Sequence, residues 1–102
     1  MNLTHKTMKT KQNVIKIVFC IQCGWLTRST WMAQEILITF DKDIDSLILV
    51  PSDGGRFEIS CNDHVIFSRA IERKFIEIKE IKKRIRNLID PDRPLGHNDI
   101  DK

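Results

Sequence analysis

Val14-Ile15-Lys16-Ile17-Val18-Phe19 is an apolar run broken by one lysine, and it leads straight into Cys20-Ile21-Gln22-Cys23-Gly24-Trp25. Val14, Ile15, Ile17 and Val18 are β-branched, which favours an extended chain. A run apolar at nearly every position suits a central strand covered on both faces. The run alone does not separate a strand from a buried helix, but it is short and a thiol pair with a glycine follows it, so a strand is expected. A Cys-x-x-Cys pair at a strand-to-helix junction lies where backbone N–H groups are unpaired and the helix dipole is positive. That setting favours the thiolate, the reactive form of cysteine.

From Trp25 to Phe40 the period changes. Leu26, Thr30, Ala33, Leu37 and Phe40 recur at steps of three and four, with Met32 and Ile36 beside them, which predicts a core-facing helix. Ser46 to Pro51 is a second strand, expected to lie parallel to the first after the helical crossover. Pro51 closes it, and Ser52-Asp53-Gly54-Gly55 is a turn. In Arg56 to Cys61, Phe57, Ile59 and Cys61 alternate onto one face. Asn62-Asp63 supplies hairpin-turn chemistry, and His64 to Phe67 is the return strand. Ile71, Phe75, Ile78, Ile81, Ile85 and Leu88 then predict a last helix over 74–89, stopped by Asp90-Pro91. The order β-α-β-β-β-α predicts an α/β (α+β) domain, thioredoxin-like, with a four-stranded mixed sheet and two main helices. The expected organisation is a tail over 1–13, a redox domain over 14–90 and a C-terminal tail over 91–102.

With 102 residues there is room for one core. The longest apolar run is only strand length, so no membrane span is expected, and the polar first dozen residues lack the apolar middle of a secretory signal. Three cysteines make an odd set, which fits a reducing compartment, and the cytoplasm is the expected location. The net charge of +3 is too small to require an anionic polymer. The basic residues from Arg69 to Arg86 interleave with Glu72, Glu77 and Glu80 in the manner of a solvated helix face, so no nucleic-acid partner is expected. The absence of a glycine-rich phosphate loop speaks against a nucleotide or flavin, and no tightly bound cofactor is expected.

The order of motifs resembles the selenoprotein W-, T- and H-related (Rdx-type) family, in particular its bacterial cysteine-containing members. The resemblance rests on Phe19-Cys20-Ile21-Gln22-Cys23-Gly24-Trp25-Leu26, Trp31-Met32-Ala33-Gln34-Glu35, Gly54-Gly55-Arg56-Phe57-Glu58-Ile59, Lys79 to Arg86, and Asp90 to Asp99. One departure is Phe75-Ile76, where the bacterial pattern usually has Phe-Pro. The resemblance implies a thioredoxin-like fold and a redox role tied to glutathione or thioredoxin, with glutathione as co-substrate and a thiol or disulfide protein as partner. It implies no particular enzymatic substrate.

Cys20 and Cys23 are therefore the candidate catalytic residues. Thioredoxin logic makes the first cysteine the nucleophile, whereas the family's selenocysteine position matches Cys23, and the resemblance tips the choice to Cys23. Trp25, directly after Gly24, is a candidate substrate-binding residue able to cover the disulfide. Arg28, about one turn beyond Cys23, is a second, suited to an anionic group such as a glutathione carboxylate. Trp31 is read as packing.

Two other readings compete. A non-enzymatic module would use the pair to switch binding to another protein. A zinc site would combine Cys20 and Cys23 with Cys61 and His64. In the expected topology the third strand runs antiparallel to the first, which holds those two pairs ~20 Å apart and opposes zinc. His97 and Asp99 lie in the C-terminal tail and are read as surface residues.

Overall fold

The computed structural model describes residues 12–95. The opening apolar run forms β1 (Asn13–Cys20), which is hydrogen-bonded along both edges. A helix, α1 (Leu26–Thr39), crosses to β2 (Ile44–Ser52), which pairs parallel to β1 with Ile17 opposite Leu49 and Phe19 opposite Pro51. β3 (Phe57–Cys61) pairs antiparallel on the other side of β1, and β4 (His64–Ser68) follows as its hairpin partner. The sheet order is β2-β1-β3-β4. A one-turn helix, α2 (Arg69–Glu72), and a longer one, α3 (Ile78–Ile89), complete the chain. This is a four-stranded mixed sheet with its helices in an α+β fold, consistent with the thioredoxin-like plan.

Local chemistry accounts for the joints. Pro51 sits on the edge strand, where a missing N–H leaves no ladder bond unmade. Asn62 and Asp63 both take positive φ, at 53° and 70°, as a tight hairpin turn requires. The Asn62 side chain accepts from the Val14 N–H at 2.8 Å and donates to the Asn13 Oδ1 at 2.9 Å, which fastens the hairpin to the start of β1.

Ile15, Ile17 and Phe19 of β1 pack with Met32, Ala33 and Ile36 of α1, Phe57 and Ile59 of β3, and Ile81 and Ile85 of α3. Both long helices thus cover one face of the sheet. The expectation of cover on both faces is corrected: among the described residues no helix packs on the face shared by Val14, Lys16 and Val18, and the Ile48 paired with Lys16 is exposed. Strand propensity accounts for the half-buried Val14 there, while Val18 is buried without a helix over it.

Two helices differ from the periodicity reading. In α1 the buried stripe is Ser29, Met32, Ala33 and Ile36, while Leu26, Thr30 and Leu37 stay exposed. Ser29 occupies a buried position because its hydroxyl donates to the Trp25 carbonyl at 2.8 Å, a use of a polar side chain that an apolar pattern does not reveal. The last helix starts at Ile78, not at residue 74. Arg73 ends α2 in the left-handed conformation, at φ 64°, and residues 74–77 form a connector that releases Phe75 into the core. Ile71 and Leu88 consequently stay exposed.

Ion pairs bind the helices to one another. Lys82 of α3 meets Glu35 of α1 at 3.0 Å. Arg84 donates to the Ile66 carbonyl at 2.8 Å, to Glu72 at 2.6 Å and to Glu80 at 3.1 Å, joining α3 to α2 and β4. At the other end of the sheet Arg93 grips Asp43 through two bonds of 2.6 and 2.9 Å, and Leu95 packs on the core. The segment read as a tail from residue 91 is therefore tied to the body as far as Leu95. Residues 1–11 and 96–102, including His97 and Asp99, lie outside the described residues.

Phe57 is fully buried between the sheet and the helices, so Phe57→Ala is expected to cost about 3–5 kcal/mol in urea unfolding. The hydrogen bond from Arg84 holds the Glu72 carboxyl below its ordinary range. A depressed carboxylate adds its full stability above the unfolded value, about 4.3, and loses it as the pH falls through the folded value. Wild-type protein should therefore be more stable than Glu72→Gln at pH 7, and the difference should shrink steadily in unfolding curves taken below about pH 4.3.

Candidate functional site

β1 ends in Cys20, whose side chain is buried, and the chain then turns through residues 21–24 before α1 begins. Two backbone bonds shape that turn. The Ile21 N–H donates to the Ser52 carbonyl at the end of β2, at 3.0 Å, and the Gly24 N–H donates to the Ile21 carbonyl at 3.1 Å. Gly24 holds φ at 79°, a conformation open to glycine at little cost, and a Cβ there would meet no atom within 4 Å. The requirement is thus one of backbone angle and not of space. The turn brings Cys23 back beside Cys20, Cα to Cα 5.3 Å, with the two joined as a disulfide. Cys20 is sealed in the sheet and Cys23 is exposed, so the two sulfurs are inequivalent toward solvent.

Behind this turn lies a cluster of rings. Trp25, the residue preceding α1, meets Phe57 edge-on at 5.9 Å and Phe75 at 5.1 Å, and Phe57 meets Phe75 at 5.1 Å. Edge-to-face contacts of this kind add to what burial alone provides. Trp25 is half-buried, and these contacts turn its indole toward the core. The Arg28 guanidinium lies 3.8 Å from the Phe75 ring centroid, and that of Arg69 lies 5.0 Å from the Trp25 ring and 5.2 Å from the Phe75 ring. Arg28, Trp31 and Phe75 border a groove of about 410 Å³ between α1 and the connector. Trp31, expected to be packing, is about half exposed on that groove.

Cys20, Cys23, Trp25 and Arg28 are thus brought to one end of the sheet. Phe75 and Arg69 join them, and neither was assigned to the site from the sequence. The signal for Arg69 was topological. β4 runs parallel to β1, so the residue after β4 emerges at the end where β1 delivers Cys20. Cys61 and His64 lie at the opposite end, with Cys61 paired to Ile15 near the start of β1, so the two cysteine-containing pairs do not converge. Among the described residues no group of three or more His, Cys, Asp or Glu side chains is placed to hold a metal. Burial pushes the Cys61 thiol up, which keeps it protonated and unreactive. No helix among the described residues is long and apolar enough to cross a membrane.

Residues 14–87 match the Rdx family. A crystal structure of a selenoprotein W-related protein from Vibrio cholerae is similar at 46% identity and TM-score 0.76, covering 78% of this chain and 100% of that one. A crystal structure from Bordetella parapertussis is similar at 42% identity and TM-score 0.73, covering 76% of this chain and 98% of that one. No curated protein matches. The matched span holds the whole sheet from Val14, both paired cysteines and nearly all of α3, and the chain belongs to the Rdx family.

Proposed function

We propose that this protein is a thiol–disulfide redox protein of the cytoplasm, coupled to glutathione or to a thioredoxin-type dithiol protein. The observation that carries the reading is the disulfide itself, formed between one buried and one exposed cysteine at the end of the central strand. Its setting is supportive as well. α1 has no acidic residue in its first turn, so no carboxylate there offsets the positive end of the helix beside Cys23.

In the reduced protein the exposed Cys23 thiolate attacks a partner disulfide. A new S–S bond forms between Cys23 and one partner sulfur, the partner's own S–S bond breaks, and the other sulfur leaves as a thiolate. The Cys20 thiolate then attacks Cys23. The Cys20–Cys23 bond forms, the mixed disulfide breaks, and the second partner sulfur leaves. Two electrons pass from the protein to the partner, whose sulfurs take up two protons. Glutathione or a dithiol protein reverses the sequence as co-substrate. Trp25 and Arg28 lie at the same end of the sheet as Cys23, and in this reading Arg28 offers its charge to an anionic group on the partner.

The order of attack is open to a direct test. Cys20→Ser, mixed with glutathione disulfide, should accumulate one mixed disulfide mapped to Cys23 by mass spectrometry. Cys23→Ser should accumulate it at least tenfold more slowly, because the remaining site thiol is buried. Equal trapping in both variants, or labelling chiefly at Cys61, would overturn the assignment. Reversible closure of the disulfide without catalytic turnover of a disulfide substrate would leave a redox-switched binding module instead of an oxidoreductase.

A second test concerns the turn. Gly24→Ala forces an ordinary side chain into positive φ and should lower stability by roughly 1–2 kcal/mol in urea unfolding, with no steric clash to relieve.

A further inference from the structure

We infer that Arg28 and Arg69 form one anion-binding pair beside the disulfide, which selects disulfide partners carrying a carboxylate next to the reacting sulfur. The inference rests on the redox reading of Cys20 and Cys23 and adds to it a residue, Arg69, and a class of partner.

The register of the sheet brings Arg69 to this place. Val18 pairs with Glu58, and Glu58 pairs with Ser68. Arg69, one residue on, therefore leaves the sheet two strands away from Phe19 and Cys20, a lateral distance of roughly 10 Å. Its long side chain closes part of that gap and comes over Trp25, two residues after Cys23. Arg28 approaches Phe75, the ring shared by both guanidinium groups, from α1.

The pair is held by rings and not by counter-charges. Among the described residues neither arginine has a carboxylate partner, in contrast to Arg56, Arg84 and Arg93. The acid on α2, Glu72, is taken by Arg84, and α1 offers no acid in its first turn. The Arg69 Nε is buried and has no hydrogen-bond acceptor. Two like charges drawn to one aromatic ring form an arrangement that an incoming anion stabilises, and with its Nε buried Arg69 is left its terminal nitrogens to meet that anion. A guanidinium that stacks by its face keeps its edge donors free for a carboxylate. Arg84, through Glu72, holds the end of α2 in place and so keeps Arg69 at the site.

Three disulfides that differ in charge provide the test. Reduced protein is mixed at low salt with dithiodipropionate, which bears carboxylates, with neutral hydroxyethyl disulfide and with cationic cystamine. The rate of Cys20–Cys23 closure is followed by quenched mass spectrometry. Wild-type protein should react roughly three- to tenfold faster with the anionic probe than with the neutral one, and salt should shrink the difference. Arg69→Gln and Arg28→Gln should each reduce that ratio. Arg69→Lys should retain part of it. Lys42→Gln, at the far end of the sheet, should leave it unchanged.

An equal slowing of all three probes in Arg69→Gln would overturn the inference, since the arginine would then act on the protein thiolate alone. So would a ratio that survives in the double variant. A second measurement separates this inference from the redox reading. Glutarate, a dicarboxylate without sulfur, should shift the arginine Nε resonances of positions 28 and 69 saturably in the oxidised protein. If those shifts occur while no disulfide reacts, the redox reading fails and the anion site stands. If exchange proceeds and glutarate shifts neither resonance, the anion site fails and the redox reading stands.

Discussion

The pairing of Phe19 with Phe57 across β1 and β3 is the contact on which the site depends. It places a buried ring directly behind the strand end that carries Cys20. Trp25 and Phe75 close on that ring from the two flanking segments, so three remote parts of the chain meet at one point. The disulfide turn is thereby backed by the core while its outer sulfur stays in solvent. Exposure of Cys23 without this backing would give a mobile thiol. Burial of both cysteines would give an inert bond.

Charge is distributed unequally over the same framework. Some cations are neutralised by partners from distant segments, as in Lys82 with Glu35 and Arg93 with Asp43. These pairs are partly shielded and tie elements together, and their value lies more in geometry than in net energy. At the disulfide end Arg28 and Arg69 instead rest on rings, while Arg56, beside Phe57, pairs with Glu58. A stack on an aromatic face fixes a guanidinium nearly as well as a carboxylate does, yet leaves its charge available. Lys82 and Arg93 act as fasteners, and Arg28 and Arg69 stand at the end of the sheet that carries the disulfide.

Much of this was legible in the sequence, for identifiable reasons. β1 could be read from its branched residues, and β3 from the strict alternation of Phe57, Ile59 and Cys61. The Asn62-Asp63 turn declared itself because few residues accept positive φ twice in succession. The antiparallel course of β3 then sufficed to separate Cys61 from Cys20. The failures also had causes. The face of α1 was rotated because Ser29 buries its hydroxyl against the turn before it, and a serine does not enter an apolar stripe. The start of α3 was set too early because Ile71, Phe75 and Ile78 keep helical spacing across a segment that is not helical. Arg69 was absorbed into a run of helical charges for the same reason. Its true position depends on strand order, which no local pattern contains.

The disulfide contributes to this architecture less than its central place suggests. It joins residues only 3 apart in sequence, so closing the loop restricts the unfolded chain by about 2 kcal/mol on chain-entropy grounds. The contacts that define the fold, from Ile15 to Ile85, do not pass through it. Reduction is therefore expected to leave the sheet, the ring cluster and the two arginines in place and to open only the turn between the two cysteines. A bond that stapled distant segments would make each reduction a partial unfolding. This one can open and close against a rigid background, so the free energy of the exchange is set by the chemistry at the two sulfurs and by the charges that surround them.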